Sequence, residues 1–260
     1  LERWRRMFAH READRVPFFD SPWKTTIERW QREGMPADVS WVDYFGLDHG
    51  GSFQPDNSPR YPAETVEETD EVIIYTTRWG ATVRDFKHRT TVPDFIDYTI
   101  TDADAWAAAK KRIAPTRDRI DWDALDANYK ATRAAGGVFL GGLWFGFDVS
   151  HARMVGTERL LMALATDPGW VVDMWTHQLD VNLALLEVAW EAGYAFDGVR
   201  WPDDMGYKGH QFFSIDMYRA LLKPLHKRAI DWAHAKGIPA ALHSCGDVTP
   251  FVPELLEIGL

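Results

Sequence analysis

His243 and Cys245 are the side chains whose types and spacing point most directly to chemistry. They follow Ile238-Pro239-Ala240-Ala241-Leu242, an apolar run that reads as a short buried strand. In extended backbone, residues i and i+2 project to the same side. An imidazole nitrogen and a thiolate can therefore be offered to one point in space, a pair that suits zinc. The chain has one cysteine, so further ligands must be of another type or come from elsewhere. Asp203 and Asp204 follow a second strand-like run, Phe196–Trp201, and are the candidate catalytic carboxylates. They can complete a metal shell or orient a ligand through a hydrogen bond. Trp144, Arg200, Trp201 and Lys208 are the candidate substrate-binding residues. Both tryptophans fall at strand ends, as do Trp23 and Trp79 at an end or turn, where a flat aromatic ligand can stack. Arg200 and Lys208 are the cations beside them. Each assignment has a structural counterpart. A lone cysteine is usually a small core hydrophobe, Asp247 can cap a following helix, and Asp203-Asp204 can be turn residues after Pro202. His177, Glu187, Glu191, His226 and His234 sit at helical spacing and read as structural or solvated.

The elements that must position these residues alternate late in the chain. Val138–Phe145, Phe196–Trp201 and Ile238–Leu242 read as strands. Between them the spacing predicts helices over Thr157–Thr166, Gly169–Ala192 and Ile215–Lys236, the last capped by Ser214 and closed by Gly237. A final helix runs to Gly259. Earlier, Val16–Phe19 reads as a first strand and Thr25–Glu33 as a helix. Residues 46–62 form a loop rich in Gly, Pro, Asp and Ser, and Glu71–Thr77 with Ala81–Phe86 form a hairpin. Helices follow at Asp102–Ile113, with Thr101 as cap, and at Trp122–Ala135. Strands separated by long helices indicate parallel βαβ units. No Gly-x-Gly-x-x-Gly follows the first strand, which disfavours a dinucleotide-binding sheet. Polar and aromatic residues collect directly after several strands, the arrangement a (β/α)8 barrel uses to build a site.

Composition narrows the partners. Acidic residues outnumber basic ones by 39 to 29, giving a net charge of −10. That balance argues against nucleic acid or an anionic membrane surface as partner. No apolar stretch reaches the roughly 18 residues of a membrane span, and the charged first ten residues are not a signal peptide. One cysteine permits no internal disulfide, which fits a reducing cytoplasm. The chain begins with Leu1, and Gly259 stops a helix where a strand is due, so the sequence reads as a fragment of a longer protein.

Four segments carry a family likeness: Phe196–Gly206, Ser214–Tyr218, Lys223-Pro224 and Leu242–Asp247. Together they resemble the uroporphyrinogen decarboxylase superfamily, above all its decarboxylase-like members and its corrinoid-dependent methyltransferase branch. Arg159–Val172, with Asp167-Pro168, fits that family's paired helices after the fourth barrel strand. The resemblance implies a single α/β domain over 1–260, a (β/α)8 TIM-type barrel truncated before its last strands. The methyltransferases hold zinc through a His-x-Cys pair and a further cysteine. His243 and Cys245 match the pair, and the third ligand would lie beyond Leu260. By that likeness the protein is a zinc-dependent enzyme moving a methyl group from a methyl-corrinoid, held by a partner protein or domain, to a small-molecule thiol. The alternative is decarboxylation of a porphyrinogen-like polycarboxylate. Against it, Phe19–Lys24 stands where the haem-pathway enzymes carry Arg-Gln-Ala-Gly-Arg. A barrel that binds a ligand without chemistry is the third reading. Lys208 and Ile215 depart from the family's glutamine and proline, which touches substrate identity more than fold.

Overall fold

In chain order the elements are α1 (Glu2–Phe8), α2 (Lys24–Arg32), α3 (Trp41–Tyr44), β1 (Gly50–Phe53), β2 (Thr65–Glu68), β3 (Val72–Thr76), β4 (Ala81–Phe86), β5 (Asp94–Tyr98), α4 (Ala103–Lys110) and α5 (Trp122–Ala134). Then come β6 (Val138–Gly142), α6 (Phe147–Val149), α7 (Thr157–Thr166), α8 (Gly169–Glu191), β7 (Gly198–Pro202), β8 (Gly206–Tyr207), β9 (His210–Gln211), α9 (Ile215–Met217), α10 (Lys223–Ala235), β10 (Ala240–His243) and α11 (Val252–Glu257). The computed structural model describes all residues from Leu1 to Leu260. The protein is a mixed α/β chain with parallel strands and no closed barrel. It divides into two compact units, Leu1–Phe53 with Trp122–Leu140, and Gln54–Asp121 with Gly141–Leu260.

In the first unit, the start of β6 is joined to the residue before β1 by the bond from Val138 N–H to the His49 carbonyl, 3.0 Å. The Asn128 side chain of α5 donates to the Ser52 carbonyl at 2.8 Å. Val16–Phe19, expected to be a strand, is extended chain with no ladder partner. Phe18 is tied to Asp48, accepting from its N–H (2.9 Å) and donating to its carboxylate (2.9 Å). Hydrophobic residues without a neighbouring strand cannot complete a sheet edge, and Val16 and Phe18 stay exposed.

The second unit holds the predicted hairpin, which extends to an antiparallel sheet of order β2-β3-β4-β5. Its parallel part is built on β7 and β10, in register from Val199 beside Ala240 to Pro202 beside His243. The chain leaving β6 joins β7 through Leu143 N–H to the Arg200 carbonyl, 3.0 Å. Helix α8 is buried along most of its length, with Trp175, Gln178, Leu179, Asn182, Leu185 and Leu186 inside. Asp102, rather than Thr101, caps α4, its carboxylate accepting from Ala105 N–H at 2.8 Å. Aspartate is the stronger N-cap of the two residue types, and Asp102 is the one that begins the helix.

Two predicted elements are interrupted. The expected helix Ile215–Lys236 has a π turn at Tyr218–Leu222 between α9 and α10. Pro224 has no N–H and its ring crowds the preceding turn, so a continuous α ladder is not available there. The strand expected to reach Phe145 ends at Gly142, and a second π turn, Ser150–Met154, follows α6. That turn is closed by Val155 N–H to the Ser150 carbonyl at 2.9 Å. The Trp175 indole pins it to α8 by donating to Ser150 Oγ at 2.9 Å.

Candidate metal and acid-base site

The register of β7 with β10 brings the two predicted pairs of residues side by side. Asp203 N–H donates to the His243 carbonyl at 2.8 Å, which carries the parallel pairing one residue past the end of β7. Asp204 then faces Cys245, whose N–H donates to Asp204 Oδ1 at 2.8 Å. His243 Nε2 lies 3.5 Å from Cys245 Sγ and 3.6 Å from Asp204 Oδ1. The ligand atoms of all three residues lie within 4.8 Å of one another.

The loops that carry them are locked at the backbone. Gly246 has φ of +74°, and a Cβ there would sit 2.3 Å from the Gly206 carbonyl carbon. Only glycine meets both conditions, positive φ and close approach. Asp247 N–H donates to the Tyr207 carbonyl at 3.2 Å, and Met205 N–H to Ser244 Oγ at 2.9 Å.

Asp203 and Asp204 part company. Asp204 is half-exposed in the group, whereas Asp203 is wholly buried beneath it. Asp203 Oδ2 accepts from His226 Nε2 at 2.8 Å, and Oδ1 accepts from Asp148 N–H at 2.8 Å. His226 Nδ1 is 3.1 Å from the Tyr218 hydroxyl. Burial, with the Asp203 charge second, pushes the Tyr218 phenol well above its ordinary range, so it stays protonated and serves as donor to Nδ1. That assignment leaves the Nε2 proton for Asp203. Gly146, at φ +95°, lets the chain pass over this carboxylate, where a Cβ would lie 2.3 Å from Asp203 Oδ2. Asp203 is thus a buried pin between three chain segments. His226, read from sequence as structural, is its partner.

Sequence reasoning missed a second set of polar residues on α6 and its π turn. The Asp148 carboxyl is raised to about 6, chiefly by burial and next by the Asp203 charge. Trp144 Nε1 donates to Asp148 Oδ2 at 3.3 Å, and His151 Nε2 lies 3.9 Å from Oδ1. Burial lowers the His151 imidazole, which stacks on Phe147 with centroids 4.7 Å apart. The Cys245 thiol is raised, first by its side-chain hydrogen bond to Asp204, then by burial and by the Asp204 and Asp148 charges. The Asp148 charge therefore reaches the Cys245 thiol. The usable signal was Gly146, a glycine just after a predicted strand.

The remaining predicted residues are dispersed. Trp144 is half-buried, with its backbone held by Asn57 Nδ2 (2.6 Å) and Asn182 Nδ2 (3.1 Å), both donating to its carbonyl. Trp201 is wholly buried against Phe145 and His226, behind the site rather than on it. Arg200 is exposed, and Lys208 is exposed at the tip of the β8–β9 hairpin. No cation among the predicted set converges on the carboxylates. A cavity of about 660 Å³ in the first unit is lined by Phe18, Trp30, Phe45, Leu47, Arg15 and Asp20. It holds no set of metal ligands.

The donor set fits a zinc ion on geometry. Bond lengths of about 2.0–2.3 Å in a tetrahedral shell place neighbouring ligand atoms about 3.4–3.6 Å apart. The separations from His243 Nε2, 3.5 and 3.6 Å, match that spacing. Three protein ligands and an open fourth position is the pattern of catalytic zinc sites.

Neither a protein-family model nor a curated protein matches the sequence. Among solved structures, the chain is similar to a methyltransferase from Methanosarcina mazei. The TM-score is 0.60 at 14% identity, covering 99% of this chain and 73% of that one. The likeness is one of fold. No helix is long and apolar enough to cross a membrane.

Proposed function

We propose that the protein is a zinc-dependent methyltransferase of the uroporphyrinogen decarboxylase superfamily, acting on a small-molecule thiol with a methyl-corrinoid as donor. The observation that carries this reading is the single cluster of imidazole, thiol and carboxylate at the ends of β7 and β10. The fold likeness to a methyltransferase supports it. The fold would be that superfamily's barrel.

His243, Cys245 and Asp204 would hold the zinc, which when bound supplies the positive charge that keeps a substrate thiol ionised at neutral pH. Cys245 must lose its proton to ligate, and its raised pKa makes that loss depend on the metal. Asp204 Oδ1, already accepting from Cys245 N–H, fixes the loop on which the thiol sits. Asp203 holds Asp148 N–H in place, and Asp148, poised at about 6, is the group suited to take up the proton of an incoming thiol. The partner would be a corrinoid protein or domain. Decarboxylation of a polycarboxylate needs several cations around the substrate, and exposed Arg200 and Lys208 do not supply them.

Methyl transfer from methylcobalamin to a thiol, followed by loss of the methyl-cobalt absorption, tests the reading. Zinc-loaded protein should turn over, and His243→Ala with Cys245→Ala should not. Equal turnover by the double variant would remove the metal from the account.

A further inference from the structure

Arg153 lies on the π turn after α6 and is half-buried, yet it makes no hydrogen bond or ion pair through its guanidinium. It is held instead by rings. Its Cζ lies 4.5 Å from the Trp144 ring centroid and 6.0 Å from that of Phe95 on β5. Trp79 stands edge-on to Trp144 at 5.3 Å, and the Trp144 indole is tied to Asp148. The other well-shielded cations of the second unit are spent on oxygen acceptors: Arg119 donates to three carbonyls, and Lys223 to Glu254 and Glu257. A cation–π contact fixes a guanidinium without using its N–H fork. None of its nitrogens is buried without a partner, so the fork is open to solvent, where a planar oxyanion can take two parallel hydrogen bonds.

We propose that Arg153, held over Trp144, anchors a carboxylate of the substrate. The titratable groups that act on Arg153 are Asp148 from its own segment and Tyr75 from β3. Asp148 is coupled electrostatically both to Arg153 and to Cys245. The inference rests on the proposed methyl transfer only for what the anchored molecule is used for. Binding of the carboxylate itself needs no metal.

The test is calorimetric titration of the metal-free full chain with benzoate, with benzamide as the uncharged control. Wild type should bind one benzoate saturably and benzamide at least tenfold more weakly. Arg153→Gln should lower benzoate affinity at least tenfold, and Arg153→Lys, which keeps the charge but loses the fork, should fall between. Trp144→Phe should weaken binding less than Arg153→Gln. Equal binding of benzoate by Arg153→Gln and wild type would overturn the proposal. So would equal binding of benzamide, or no saturable binding to wild type at millimolar benzoate. If Arg153→Gln does not fold, unchanged affinity in Arg153→Lys serves as the contrary result. Because the titration is metal-free, its failure is distinct from failure of zinc binding.

Discussion

Asp148 is the residue at which burial and chemistry oppose each other most directly. Its carboxyl is raised from 3.8 to about 6, so the folded chain binds that proton more tightly than the unfolded chain. Below about pH 4 both states are protonated and the site costs no stability. As pH rises through the window to about 6 the ionised form is favoured in the unfolded chain, and stability is lost. Above it the loss is complete, at most ~2–3 kcal/mol. Asp148→Asn should therefore raise stability to urea at pH 7.5 and leave it unchanged at pH 4. A variant equally stabilised at both pH values would assign the effect to something other than ionisation. The pairing of Asp203 with His226 is wholly buried at both ends. Removing one partner of such a pair leaves a buried polar group uncompensated, which costs about 3–5 kcal/mol. His226→Ala should accordingly lower the unfolding midpoint sharply, and denaturant titration measures it. A loss below about 1 kcal/mol would show that the pin is not structural.

At the level of elements, the site depends on two turns pressed together at Gly206 and Gly246. Gly246→Ala combines a left-handed φ with a Cβ 2.3 Å from backbone, so the β10 loop must move. Zinc affinity should drop at least tenfold even though no ligand is altered, as competition with a chromophoric chelator would show. Unchanged affinity would mean that the ligands are placed by their strands alone. The strands, helices and chemical pair nearest the end of the chain were legible because apolar runs ending in His243 or Asp203 are short-range patterns. Val16–Phe19 misled because composition records hydrophobicity and not whether a neighbouring strand exists. The π turn at Ser150–Met154 was illegible for a different reason. An i→i+5 turn reuses helix-forming residues and is chosen by packing, here Trp175 onto Ser150. Asp148, His151 and Arg153 went unseen with it, being placed by that turn.

For the whole molecule, a metal held by Asp204, His243 and Cys245 would be coupled to stability, because these residues converge only in the folded state. Zinc at a hundred times its dissociation constant should stabilise the fold by ~2.7 kcal/mol, visible as a rise in Tm absent from His243→Ala/Cys245→Ala. The rise should shrink as pH falls, since Cys245 must release a proton to bind. Sequence alone suggested an α/β barrel truncated before its last strands; the chain is a mixed α/β fold with parallel strands, and no closed barrel is seen. Closure depends on strand pairings far apart in sequence, which residue patterns do not encode. The most direct test of the central claim is the absorption spectrum of the cobalt(II)-loaded full chain. A tetrahedral visible band and a thiolate-to-cobalt charge-transfer band, saturating at one equivalent and lost in Cys245→Ser, are expected. Octahedral cobalt with no thiolate band, or a spectrum unchanged by Cys245→Ser, would contradict a metal held by Cys245, His243 and Asp204.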